Sequence, residues 1–159
     1  DRMKKFIFKL ATVLKVRRSR EDIRKRELAE VQRVVEREKS ILMRFQDLHK
    51  QSREDLKEIE KSKIDISEVR LYQNYLIKLE RDIEKQILKL KQLEIELEKR
   101  RQKLVEATKE KKIIEKLEEK EKIKYIEKFE REEQKFIDEL ASQRHIRKLR
   151  FMSGENVGY

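Results

Sequence analysis

The chain has no cysteine, no proline and no tryptophan, and its two glycines, Gly154 and Gly158, both stand in the last six residues. Without cysteine there is no disulfide framework and no thiol chemistry, a composition compatible with a reducing cytoplasm. Without proline or an internal glycine, nothing in the first 150 positions forces a helix to stop. The same lack of glycine excludes a phosphate-cradling loop of the usual kind, and with it nucleotide hydrolysis by that route. Long apolar runs are missing as well. None approaches the roughly 18 residues that a spanning helix needs. The basic start lacks the apolar block and small-residue cleavage site of a secretory signal, and Met3 is the expected natural start, with Asp1 and Arg2 outside the fold argument. Apolar residues make up 36% of the 159 positions and charged residues 48%, which leaves too little material for a conventional globular core. The apolar residues must instead be buried along a seam.

Such a seam is visible. Leu28, Val31, Val35, Glu38, Leu42, Phe45, His49, Ser52, Leu56 and Ile59 step by three and four, and seven of these ten are apolar. A second series runs Leu76, Leu79, Ile83, Gln86, Leu90, Leu93, Leu97, Arg100, Leu104 and Ala107, with eight of ten apolar. This periodicity argues for helix against disorder, the rival reading for so charged a chain. Glu38, His49, Ser52, Gln86 and Arg100 interrupt the two series. Such residues either set register and strand number at some cost in stability, or mark a solvated face.

Between the series the step pattern lapses, and Ser62, Asp65 and Ser67, all good N-cap residues, occur together. Asp65 and Glu68 have the spacing of a capping box, with Ser67 a competing cap. We therefore expect a basic lead over residues 1–9, a first helix over 10–61, a turn over 62–67, a second helix over 68–150 and a frayed tail over 151–159. A connector this short makes the two helices antiparallel neighbours, so the predicted fold is all-α, a long two-helix coiled-coil hairpin. The helices would be about 75 Å and about 120 Å long. Folding about residue 65 pairs position i with roughly 130 − i, which leaves the last stretch of the second helix projecting. Its apolar residues Ile126, Phe129, Phe136 and Leu140 run one residue out of step with Leu104, Ala107 and Ile114. The pairs Glu96/Arg100, Glu118/Lys122 and Glu127/Arg131 have the favourable i, i+4 order.

Charge is distributed unevenly. Residues 1–26 hold eleven basic and three acidic side chains, residues 144–150 four basic and none acidic, and the tail only the acid Glu155, whereas Glu27 to Gln143 hold 29 of each. The whole net charge of +11 thus belongs to the termini, which a hairpin brings to one end. Nucleic acid is one conceivable partner for a basic tip, but Arg17, Arg18 and Arg20 lack a recognisable reading module and have apolar neighbours that suit protein docking. Peripheral contact with an anionic membrane through the amphipathic stretch from Met3 to Leu14 is another. A generic scaffolding coiled coil dimerising through one long helix is the remaining alternative to a monomer. His49 and His145 are far apart and have no metal-ligand spacing. His49 would face the region near residue 81 as a seam or surface residue. Acidic pairs such as Glu118/Glu119 and Glu132/Glu133 imply no catalysis without a concave site. The sequence reads as a non-enzymatic protein with no metal and no cofactor.

The opening block Phe6-Ile-Phe8-Lys-Leu10-Ala-Thr-Val13-Leu14-Lys-Val-Arg17-Arg18 resembles the start of the FliJ family, a soluble component of the bacterial flagellar type III export apparatus. Ser67-Glu-Val-Arg-Leu-Tyr72-Gln-Asn-Tyr75-Leu76 is similar to the family's entry into its second helix. Leu104-Val-Glu106-Ala107, Lys109 to Lys112, Leu117, Glu133-Gln134 and Asp138-Glu139 are similar to its C-terminal pattern.

The resemblance implies a hairpin similar to the central stalk, the gamma subunit, of rotary ATPases, seated in the pore of the hexameric flagellar export ATPase. It also implies a link from that ATPase to the membrane export gate, the escort of export chaperones, and a cytoplasmic location peripheral to the inner membrane at the flagellar base. On that resemblance the ATPase contact falls on Phe6, Phe8, Leu10, Val13, Leu14, Arg17 and Arg18, with the projecting part of the second helix. The gate contact falls on Glu38, Leu42, Phe45, His49, Tyr72, Leu76, Leu79 and Ile83. Seven of those eight positions belong to the seam, so either the frame shifts near the turn or only part of the stripe is exposed.

Overall fold

The computed structural model of the protein describes residues 5–62 and 65–154. Helix α1 spans Ala11–Lys61 and helix α2 spans Ile66–Met152, packed as an all-α antiparallel hairpin, and no strand occurs among the described residues. Lys63 and Ile64, within the expected turn, lie outside the described residues, as does the end of the expected tail from 155 onward.

The turn is built by local capping. At the end of α1 the Ser62 hydroxyl donates to the Ile59 carbonyl at 3.0 Å, meeting one of the acceptors that a helix end leaves open. On the far side the Ser67 N–H donates to the Asp65 carboxylate at 2.9 Å, and Val69 N–H donates to the Asp65 carbonyl at 3.1 Å. Asp65 is thus the N-cap. Ser67 is the second residue of α2, which opens two residues ahead of the expected Glu68. At the other end Ser153 N–H and hydroxyl both bond the Leu149 carbonyl, at 2.9 and 3.0 Å. Gly154 follows at φ +70°, the left-handed conformation that closes helices and that favours glycine.

Residues 17–110 form one body. None of the ten α1 positions from Leu28 to Ile59 named as the seam is exposed, and neither is any of the ten α2 positions from Leu76 to Ala107. Val35 and Leu79 are the most enclosed, each with 3% of its surface accessible. Burial of a Val or Leu side chain contributes about 1.5–3 kcal/mol, which explains why a three-four step suffices to hold helices whose other faces are charged. Cross-helix contacts give the register directly: His49 with Glu80, Glu38 with Gln86, Glu27 with Arg100, Glu21 with Thr108 and Arg20 with Glu110. Partner numbers add to between 124 and 130, the order expected of a hairpin turned near residue 65. The Glu96 carboxylate accepts from Arg100 at 2.8 Å along α2, one of the i, i+4 pairs legible in the sequence.

The second body comprises residues 1–16 and 111–159, described over 5–16 and 111–154. Residues 5–8 are not helical, Ala11 N–H bonds the Phe8 carbonyl at 3.2 Å, and α1 starts from there. Phe8 and Leu14 are buried here, at 6% and 4% accessibility. The Phe6 ring meets the Tyr125 ring with centroids 5.5 Å apart and planes tilted by 52°, a favourable aromatic geometry. Every residue from Ile126 to Gly154 is exposed.

Candidate functional site

The basic and aromatic opening does not present a single face. Phe8 and Leu14 point inward, Phe6 and Leu10 are half-buried, and Arg17 is half-buried and donates to Glu110, a carboxylate that Arg20 also reaches at 3.2 Å. Of the seven residues assigned by resemblance to an ATPase contact, Val13 and Arg18 have exposed side chains. Phe6 meets Tyr125, Arg17 bonds Glu110, and Phe8 and Leu14 are enclosed. The sequence frame explains this: Leu28 continues upstream in steps of four and three through Arg24, Glu21, Arg17 and Leu14, so these residues occupy the seam. That extension was available in the spacing but is disguised by charge at three consecutive core positions.

Seven of the eight positions assigned to a gate contact line the seam of the 17–110 body, and Tyr72 precedes it by one step of four. Glu38 and Leu79 are buried, and Leu42, Phe45, His49, Tyr72, Leu76 and Ile83 are half-buried. Their outer edges are therefore what a partner can reach. His49 Nε2 lies 3.1 Å from a Glu80 carboxylate oxygen, next to the region near residue 81 that the fold about the turn assigns to it.

Glu38 sits in the most elaborate polar layer. The Gln86 side-chain amide donates to the Glu38 carboxylate and, at 3.0 Å, to its backbone carbonyl, while Lys89 Nζ reaches the other carboxylate oxygen at 2.9 Å. These donors, Gln86 first and Lys89 second, outweigh desolvation and hold the Glu38 carboxyl below the ordinary 4.5. Glu27 is likewise held low, chiefly by its hydrogen bond from Arg24 and then by Arg100, against the opposing effect of burial. Arg100, bonded to Glu96 and Glu27, is raised above its ordinary value. Among the described residues no group of three or more His, Asp or Glu is arranged to hold a metal ion.

The C-terminal part of α2 is exposed throughout its described length from Ile126. Ile126, Phe129, Phe136, Ile137 and Leu140 are exposed, between 37% and 62%, and fall on one side of the helix at spacings of three, four and seven. Beyond them Arg144, Arg147, Lys148 and Arg150 add positive charge with no acid after Glu139 in the helix. An apolar stripe of this kind ending in a basic segment is suited to a protein groove with acidic walls. By contrast the groove of about 550 Å³ lined by Ser40, Met43, Arg44, Asp47, Leu48 and Gln51 is formed by α1 alone and has no second wall to enclose a substrate. No helix among the described residues is long and apolar enough to cross a membrane.

Residues 5–150 match the model of a protein family described as flagellar FliJ protein. No curated protein and no solved structure matches the chain.

Proposed function

The chain belongs to the FliJ family and is a component of the flagellar export apparatus, and from that premise we propose that it is a non-enzymatic link between the hexameric export ATPase and the membrane export gate. The terminal end enters the ATPase ring. Exposure of the stripe from Ile126 to Leu140, followed by the acid-free basic segment to Arg150, is the observation that carries this reading. A helix so apolar on one side costs free energy in water until a partner covers it. Val13 and Arg18 supply the exposed contribution of α1. The outer edges of Phe45, His49 and Tyr72 serve the gate, with Glu38, Leu42, Leu76, Leu79 and Ile83 supporting them from within the seam. Export chaperones are carried by the same protein, which acts as a monomer in the cytoplasm at the inner-membrane face of the flagellar base.

Stimulation of the purified cognate ATPase tests the first contact. The wild type stimulates hydrolysis, and the variant F129A/F136A/L140A does so with an apparent affinity at least about tenfold weaker, as expected for loss of central apolar anchors. Unchanged stimulation by that variant, with helix content intact, refutes the assignment. Gate binding is tested separately with F45A/Y72A, which weakens capture by the soluble part of the gate and leaves ATPase stimulation alone.

A further inference from the structure

The polar residues within the 17–110 seam are matched across the two helices, and the match is specific to one alignment. Glu38 and Gln86 have 7% and 8% of their surfaces accessible, and each is the hydrogen-bond partner of the other. A coiled-coil seam repeats every seven residues, so the competing alignments are those in which one helix slides by a heptad and every core position again finds a core position. Slide one way and Glu38 faces Leu93 while Gln86 faces Phe45. In the other direction Glu38 faces Leu79 and Gln86 faces Val31. Both alternatives leave a carboxylate and an amide enclosed by hydrocarbon without partners, which is far more costly than the paired layer. Glu27 and Arg100, further along the seam, are only half-buried and add less to the discrimination. Glu27, which bonds Arg24 at 2.8 Å and Arg100 at 3.2 Å, would face Leu93 or Ala107. Arg17, bonded to Glu110, would face Lys103 in the second alignment.

From this we infer that the enclosed Glu38 and Gln86 pair is a register lock, which holds α1 and α2 in one axial alignment and makes sliding of one helix along the other unavailable as a way of passing a signal along the protein. The lock does not depend on what the ends of the protein bind. It lowers stability relative to an apolar layer and yields a unique alignment in return. Lys89 completes it by neutralising the carboxylate from the solvent edge.

The absence of native cysteine makes the test direct. Spin labels are attached at R33C and R81C, two exposed positions offset along the hairpin axis, and the interlabel distance is measured by pulsed electron resonance. The wild-type background shows one narrow distance. In E38L/Q86L a second population appears, displaced by about 10 Å, the length of one heptad, while the melting midpoint rises by at least about 4 °C. E38Q, whose side-chain oxygen still accepts from the Gln86 amide, keeps the single distance. One unshifted distance in E38L/Q86L overturns the lock, and two populations in E38Q overturn it equally.

Discussion

The amide nitrogen of Gln86 on α2 donates to both the carboxylate and the main-chain carbonyl of Glu38 on α1, at a level where both side chains are enclosed by the seam. One side chain thereby satisfies two acceptors of a single opposing residue. The charge of Glu38 is tolerated there because Lys89 stands 2.9 Å from its other oxygen.

Acid should loosen the hairpin, with a defined contribution from this layer. The carboxyls of Glu38 and Glu27 are held below 4.5 in the folded protein. The unfolded chain therefore binds protons more readily than the folded one, and the stabilisation is complete above the ordinary carboxylate range and lost as pH falls through it and then through the folded values. The melting midpoint is expected to be level from about pH 6 to 7 and to fall below about pH 4.5. E38Q should make that acid limb shallower, as followed by circular dichroism across pH 2 to 7.

Leu79→Ala is expected to destabilise the hairpin by about 2–5 kcal/mol, since it empties a site with 3% accessibility facing the opposite helix. Met43→Ala, on the outer face at 63% accessibility, should change stability by less than about 0.5 kcal/mol. Urea unfolding of both variants measures the contrast.

Asp65→Ala removes the carboxylate that accepts the Ser67 N–H at the start of α2. The expected loss is about 1 kcal/mol, with amide exchange quickening in the first turn of α2 ahead of the rest. Ser67→Ala should leave the cap intact, because it is the main-chain N–H of Ser67 that is held.

Phe136→Ala is expected to leave the melting midpoint within about 2 °C of the wild type, because Phe136 is 62% exposed and shares no enclosed core with α1. A substitution so quiet in stability makes any loss of partner binding attributable to the surface itself. Calorimetric melts run beside the ATPase assay check this.

Helix, period, reversal and family were all legible in the chain. The three-four step from Leu28 to Ile59 and from Leu76 to Ala107 identifies the buried face because helical geometry is local, so side-chain spacing along one segment is enough to define it. The exposed stripe from Ile126 was legible for the same reason, as residues beyond the reach of the shorter helix. Less accessible were the roles of Phe8, Leu14 and Arg17, which resemblance assigned to a docking face and which the structure places inside or against the hairpin. Their spacing was compatible with the seam, but Arg17, Glu21 and Arg24 in three successive core positions concealed it.

The sequence by itself determined that two helices form, where the chain reverses and which face of each is buried, because backbone hydrogen bonding and apolar periodicity act within a few residues. Only the tertiary structure decided that Glu38 meets Gln86, that Glu27 meets Arg100 and that Phe6 leans on Tyr125. Those pairings depend on the axial alignment of segments up to 119 positions apart. That alignment is selected by which buried polar groups find partners, a condition that neither helix can satisfy alone.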